Sequence, residues 1–163
     1  MATPEFILAL REKIGNDPLW LPGVTAVVLD GDRVLMVKRA DNGAWTPVTG
    51  IVDPGEQPAD AAVREVLEEA GAVAVPERLA SVGVTAPVVY GNGDRSQYLD
   101  LTFRCRWVSG EPYPADGENT EARWFPLDAL PPMTEEMRGR IAAAVAEESA
   151  ARFRFSGGAG ERA

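Results

Sequence analysis

Residues 58–70, PADAAVREVLEEA, constrain the architecture more than any other segment of this chain. Pro58 suits a first helical turn and Gly71 suits a C-terminal stop, so the spacing predicts a helix over 58–70. At about 100° per residue, Ala59, Val63, Val66 and Ala70 fall on one side, with Leu67 at the edge. Arg64, Glu65, Glu68 and Glu69 fall on the other. A helix with one apolar stripe needs a sheet or another helix to bury it. The flanking sequence supplies strands. GVTAVVLD (23–30) and RVLMVKRA (33–40) are β-rich runs joined by the hairpin signal DGD. After Gly71 come AVAVP, LASVGVTAPVVY, QYLDLTFRCRWV and EARWFPL, punctuated by GNGDRS and SGEPYPADGEN. TPEFILALREKIG reads as a short helix with Thr3 as its cap, and 134–153 as a final Ala-rich helix capped by Thr134. Strands interleaved with two or three helices imply an α/β or α+β domain with a mixed sheet.

The length of 163 residues predicts one domain over 1–155, with the helix 4–14 as an extension and 156–163 as a flexible tail. The formal net charge of −9 argues against binding nucleic acid polymers through their backbones. It leaves room for a small anionic substrate, because a bound cation can invert the field in one cleft. Cys105 is the single cysteine and lies in a strand-like run, where a buried inert thiol is expected. There is no histidine, so acid–base chemistry falls to carboxylates, Lys, Arg or Tyr. The apolar run FILAL is far shorter than a signal-peptide core or a membrane span. These features predict a cytoplasmic protein with no membrane partner.

The stretch from Gly50 to Ala72 contains six carboxylates, and Glu65, Glu68 and Glu69 fall within five consecutive positions. Glu65 neighbours both Glu68 and Glu69 on a helix surface, so they repel. Clustered oxygen donors are what a hard divalent cation requires. Spacing alone leaves a cation site and a solvated acidic face both open. The preceding GIVDPGE has accessible backbone, whose carbonyls suit a cation and whose helix-start amides suit phosphate oxygens.

This stretch resembles the Nudix box, G-x(5)-E-x(7)-R-E-U-x-E-E-x-G-U with U aliphatic. The chain supplies Gly50, Glu56, Arg64, Glu65, Val66, Glu68, Glu69, Gly71 and Ala72 at the fixed positions. The resemblance implies an α/β/α sandwich with a mixed β-sheet, the box forming loop–helix–loop. It implies Mg²⁺- or Mn²⁺-dependent hydrolysis of a nucleoside diphosphate linked to another moiety, of the ADP-ribose, NDP-sugar, NTP or dinucleotide type. It implies that Glu65, Glu68, Glu69 and the Gly50 carbonyl hold the metal, and that Glu56 and Arg64 form an ion pair orienting the helix. Glu68 is the first candidate for the catalytic base, then Glu65, with Glu118 or Glu121 from a downstream loop as further candidates. The family often carries W-x-x-P-G-G before the box; here Trp45-Thr46-Pro47-Val48-Thr49-Gly50 has its proline one place early and Thr49 in place of a glycine.

Outside the box, Lys38 and Arg39 are candidate phosphate contacts. Pro87 and Tyr90 stand near positions that family members acting on ADP-ribose or dinucleoside polyphosphates mark with proline or tyrosine. Tyr98, Trp107 and Trp124 are candidates for stacking on a base or for the core, and the alternation around Asp100 turns it toward a cleft. The alternative function is a non-catalytic nucleotide-binding regulatory module of the same fold. A homodimer is a candidate assembly.

Overall fold

The computed structural model describes residues 3–156, so the tail expected at 156–163 lies outside the described residues except for Ser156. Eight strands form one sheet: β1 (Leu19–Asp30), β2 (Arg33–Arg39), β3 (Trp45–Thr46), β4 (Val48–Ile51), β5 (Val73–Val84), β6 (Val88–Val89), β7 (Arg95–Ser109) and β8 (Asn119–Pro126). Three helices complete the described chain: α1 (Glu5–Ile14), α2 (Pro58–Ala70) and α3 (Glu135–Val145). β1 is central. It runs parallel to β7 and antiparallel to both β4 and β2, which makes the sheet mixed.

Alternation along β1 builds the layers. Val24, Ala26 and Val28 join Ala61, Ala62, Val66 and Ala70 of α2 in one apolar core. Val27 and Leu29 join Ile141, Ala143 and Ala144 of α3 in the other. The result is an α/β/α sandwich with α2 and α3 on opposite faces.

Local signals and tertiary contacts part company at three ends. β1 starts at Leu19, before the apolar run, because Leu19 to Pro22 pair with Ser96 to Leu99 of β7. α1 begins after Pro4, with no side-chain cap from Thr3. α3 stops at Val145, well short of the expected 153. Arg78 donates to the carbonyls of Ala143, Ala144 and Ala146, and Arg104 donates to Ala144 at 3.1 Å. These guanidiniums satisfy the carbonyls a helix end leaves orphaned. The chain then turns back, and Arg152 bridges in parallel to Ser81 of β5.

Asp100 faces α3, so the cleft orientation is corrected. Its carboxylate accepts from Thr25 and Thr102 at 2.7 Å each and pairs with Arg140 at 3.1 Å. The period-2 pattern had two faces to choose from, and this buried network takes the one opposite α2.

Candidate active site

β4 carries the chain to Gly50 and Ile51, a turn follows with Gly55 at φ +86°, and α2 starts at Pro58. Gly71 closes α2 in the left-handed conformation, its N–H bonded to the Leu67 carbonyl. Gly50 is glycine for a reason visible in space. A Cβ there would lie 2.1 Å from the Cδ of Glu65. The missing side chain makes room for a carboxylate.

That room turns α2 away from the orientation expected from its apolar stripe. Ala61, Ala62, Glu65, Val66, Glu69 and Ala70 are buried, while Leu67 is 55% exposed. Glu65 and Glu69 therefore point inward rather than sharing a solvent face with Glu68. Glu65 is fully buried, and its Oε2 has no hydrogen-bond partner. Burial, the largest influence, pushes its carboxyl up to about 7, against the opposing pull of Arg64. Glu69 accepts from Asn119 Nδ2 at 3.1 Å, and burial followed by the Glu65 charge pushes it up to about 8. Glu68 is 42% exposed.

Arg64 is the hub. Its Nε and Nη2 donate to the two oxygens of Glu56 at 2.8 and 2.9 Å, and Nη2 also donates to the Ile51 carbonyl at 3.1 Å. Its Nη1 reaches Glu65 Oε1 at 2.9 Å and Glu68 Oε2 at 3.3 Å. The repulsion expected from the helix spacing is thus partly relieved by one guanidinium. Glu56 in turn accepts from the Asp53 N–H at 3.1 Å, and its bidentate bond with Arg64 holds its carboxyl below the usual range.

The loop before β8 closes the far end of α2. Tyr113 N–H bonds to the Ala70 carbonyl and Ala115 N–H to the Glu69 carbonyl, both at 3.1 Å. A Cβ at Gly71 would meet the Tyr113 ring at 2.1 Å. This loop delivers Asn119 to Glu69, a contact that sequence reading misses because nothing local marks Asn119 as buried. Glu118 lies in the same loop, its carbonyl accepting from Ala40.

The remaining candidates have partners elsewhere. Lys38 pairs with Glu121 across β2 and β8 at 2.9 Å, and Glu121 also meets Arg123. Arg39 forms a bidentate pair with Asp41, its nitrogens 2.9 and 2.7 Å from the carboxylate, while the charge of Glu69 also reaches it. Trp107 and Trp124 meet edge to face at 6.1 Å and pack on the core of α2. The Tyr90 and Tyr98 hydroxyls bond at 2.6 Å. Pro87 lines a separate cavity of about 230 Å³ with Pro18, Val88 and Arg95. Cys105 is fully buried and its thiol is pushed up to about 12, matching an inert packed cysteine.

Among the described residues, no three acidic side chains converge into a ready-made cation cage. The donor set nevertheless fits a hard divalent ion. It consists of carboxylates beside a backbone carbonyl, and Glu65 Oε2 is buried with no hydrogen-bond partner.

The sequence pattern of the NUDIX domain matches residues 19–145. The chain belongs to the Nudix family. It is 36% identical to the NAD-capped RNA hydrolase NudC of Pseudomonas aeruginosa over 119 residues, covering 71% of this chain and 40% of that protein. It is 35% identical to the human 8-oxo-dGDP phosphatase NUDT18 over 115 residues, covering 66% of this chain and 33% of that protein. The Nudix chain thus spans less than half the length of these relatives. Its fold matches the crystal structure of an ADP-ribose pyrophosphatase from Streptococcus suis with a TM-score of 0.64 at 24% identity, covering 82% of this chain and 98% of that one.

Proposed function

We propose that this Nudix domain is a divalent-metal-dependent pyrophosphohydrolase acting on a nucleoside diphosphate linked to another moiety. The observation that carries the reading is Glu65, a fully buried carboxylate seated on Gly50 with one oxygen unpartnered. Arg64 meets only its other oxygen, so a carboxylate in that position stays costly until a second positive charge joins it.

Glu65, Glu68, Glu69 and the Gly50 carbonyl would hold the Mg²⁺ or Mn²⁺. When bound, the ion polarises phosphoryl oxygens, neutralises developing negative charge and acidifies water. The protein's own part is positioning and proton handling. Glu56 fixes Arg64 through two bonds, and Arg64 fixes the carboxylates of Glu65 and Glu68. Glu68 is the exposed member of the set, so it can reach a water and take its proton. Glu69, held by Asn119, completes the negative wall. The relatives named for NAD-capped RNA and for 8-oxo-dGDP both act on nucleotide derivatives. The net charge of −9 favours a small substrate over an RNA chain.

The test is turnover with Mg²⁺ across ADP-ribose, NDP-sugars, NTPs, dinucleotides and NAD-capped RNA, with product identification. Glu68→Gln is expected to lose activity by about 100-fold or more, the usual share of a general base, while keeping its melting curve. Undiminished rates in that variant would remove Glu68 from the chemistry, and failure of folded wild type on every substrate would refute the reading.

A further inference from the structure

A cavity of about 480 Å³ opens beside α2 and has walls from two parts of the chain. Asp53, Pro54, Arg64 and Glu68 come from the box loop and helix; Pro4, Glu5 and Phe6 come from the start of α1. Its volume falls within the range of small-molecule sites, roughly 300–1,000 Å³. The α1 wall is not part of the shared domain, because the NUDIX match begins at residue 19.

α1 is held with little apolar contact. Ile7 is its one buried residue among those described. Arg11 supplies a latch instead. It donates to the carbonyls of Gly15, Asp17 and Arg95 at 3.0, 2.6 and 2.7 Å and to Ser96 Oγ at 3.2 Å, and it pairs with Asp94 at 3.5 Å. That side chain is 11% exposed. It ties the far end of α1 to the start of β7 while the near end borders the cavity.

The lining selects a kind of ligand. Away from Glu68, which belongs to the cation set, Glu5 and Asp53 bring two further carboxylates, and Asp53 Oδ1 has no donor from the protein. Arg64 is the one cation among the described lining residues and is already committed to Glu56, Glu65 and Glu68. This end of the cavity therefore repels phosphate and accepts hydrogen bonds from hydroxyls. Pro4, Phe6 and Pro54 add apolar surface that suits the C–H face of a sugar ring. We propose that the first turn of α1 forms the outer wall of the substrate site and takes the distal sugar of a sugar-linked nucleoside diphosphate, with Arg11 as the positioning residue that holds the wall. This rests on α2 being the pyrophosphohydrolase site.

The test uses the full chain with Phe6→Ala, Arg11→Gln and Arg11→Lys, each checked by thermal melting. Turnover of ADP-ribose with Mg²⁺ is compared with calorimetric binding of ADP-ribose and of ADP, using Ca²⁺ in place of Mg²⁺. Phe6→Ala and Arg11→Gln are expected to raise KM and Kd for ADP-ribose about five- to tenfold, the scale of one lost aromatic contact. KM rises more than kcat falls, ADP binding stays near wild type, and Arg11→Lys recovers part of the loss. Equal weakening for ADP and ADP-ribose, or no weakening, would overturn the α1 wall. If wild type turns over nothing but the binding split persists, the hydrolase reading fails and the wall stands. Turnover with no split means the reverse.

Discussion

The burial of Glu65 and Glu69 predicts a domain sensitive to pH in the range where most proteins are indifferent. Their carboxyls titrate at about 7 and about 8 in the folded chain, against 4.5 ordinarily. A folded pKa above the unfolded one means that stability is fully present below the unfolded value. It is lost as pH rises through the folded value. At roughly 1.4 kcal/mol per pH unit, the Glu65 displacement alone corresponds to about 3 kcal/mol. The Glu65 charge in turn raises Glu69, so the two titrate as a pair. For a chain of this size about 3 kcal/mol is roughly 6–12 °C in Tm. The other shifted carboxyls and the thiol titrate outside this window. Glu56 and Asp41 have lowered carboxyl pKa values, so their contributions disappear only at more acid pH. Cys105 is raised from 9.0, so it matters only on the alkaline side.

The assay is thermal melting in EDTA from pH 5 to pH 8.5, with and without Mn²⁺ or Mg²⁺. In EDTA the Tm should fall across this range, and Glu65→Gln should flatten much of the fall. Added cation should raise Tm far more at pH 8.5 than at pH 5.5, because ligands must be deprotonated and binding to the native state stabilises it. A flat EDTA profile in wild type would refute the claim that these carboxylates are held at a cost. A cation response independent of pH would refute the claim that they are what the ion relieves.

Two further perturbations separate the site from its support. Gly50→Ala pushes a methyl into the Glu65 carboxylate and should cost about 1–3 kcal/mol, as overpacking does, while abolishing the cation-induced rise in Tm; a normal response by melting would mean Glu65 does not need that space. Asp100→Ala leaves the buried Arg140 with Glu136 as its remaining carboxylate and should cost up to about 3–5 kcal/mol, measured by urea unfolding; a loss below about 1 kcal/mol would show that Thr25 and Glu136 suffice to satisfy the guanidinium.

What the chain reveals in advance follows the range of the interaction. The limits of α2 are legible because Pro58 and Gly71 act on their own backbones, and the β1–β2 hairpin because DGD lies between its strands. The first residues of β1 are not, since they pair with β7 more than seventy positions away. The end of α3 is not, since Arg78 and Arg104 set it from distant strands while the local sequence favours continuing. The carboxylates of the site could be named from their spacing, but their environment could not. Asn119 and the α1 wall carry no local mark, because both become relevant only once the chain has folded around α2.

The rotation of α2 is the most informative of these departures. Hydrophobic periodicity places Val63 and the edge residue Leu67 toward the core and all three glutamates outside. The fold leaves Leu67 in solvent and buries Glu65 and Glu69. Exposing a leucine forgoes roughly 1.5–3 kcal/mol of burial, and two charges near each other in the interior cost more. A helix optimised for stability would turn the other way. Gly50 prevents the usual remedy, because the space it leaves admits a carboxylate beside a backbone carbonyl. Local rules broken together at one place, with Arg64 and Glu56 arranged to hold the breach open, mark the position where the sequence answers to chemistry rather than to folding. Filling that space with an alanine while truncating Glu65 to alanine, which removes the Cγ and Cδ a Cβ at position 50 would strike, should therefore yield a more stable protein that no longer responds to divalent cations. A less stable double variant would mean that the inward turn of α2 is dictated by packing alone.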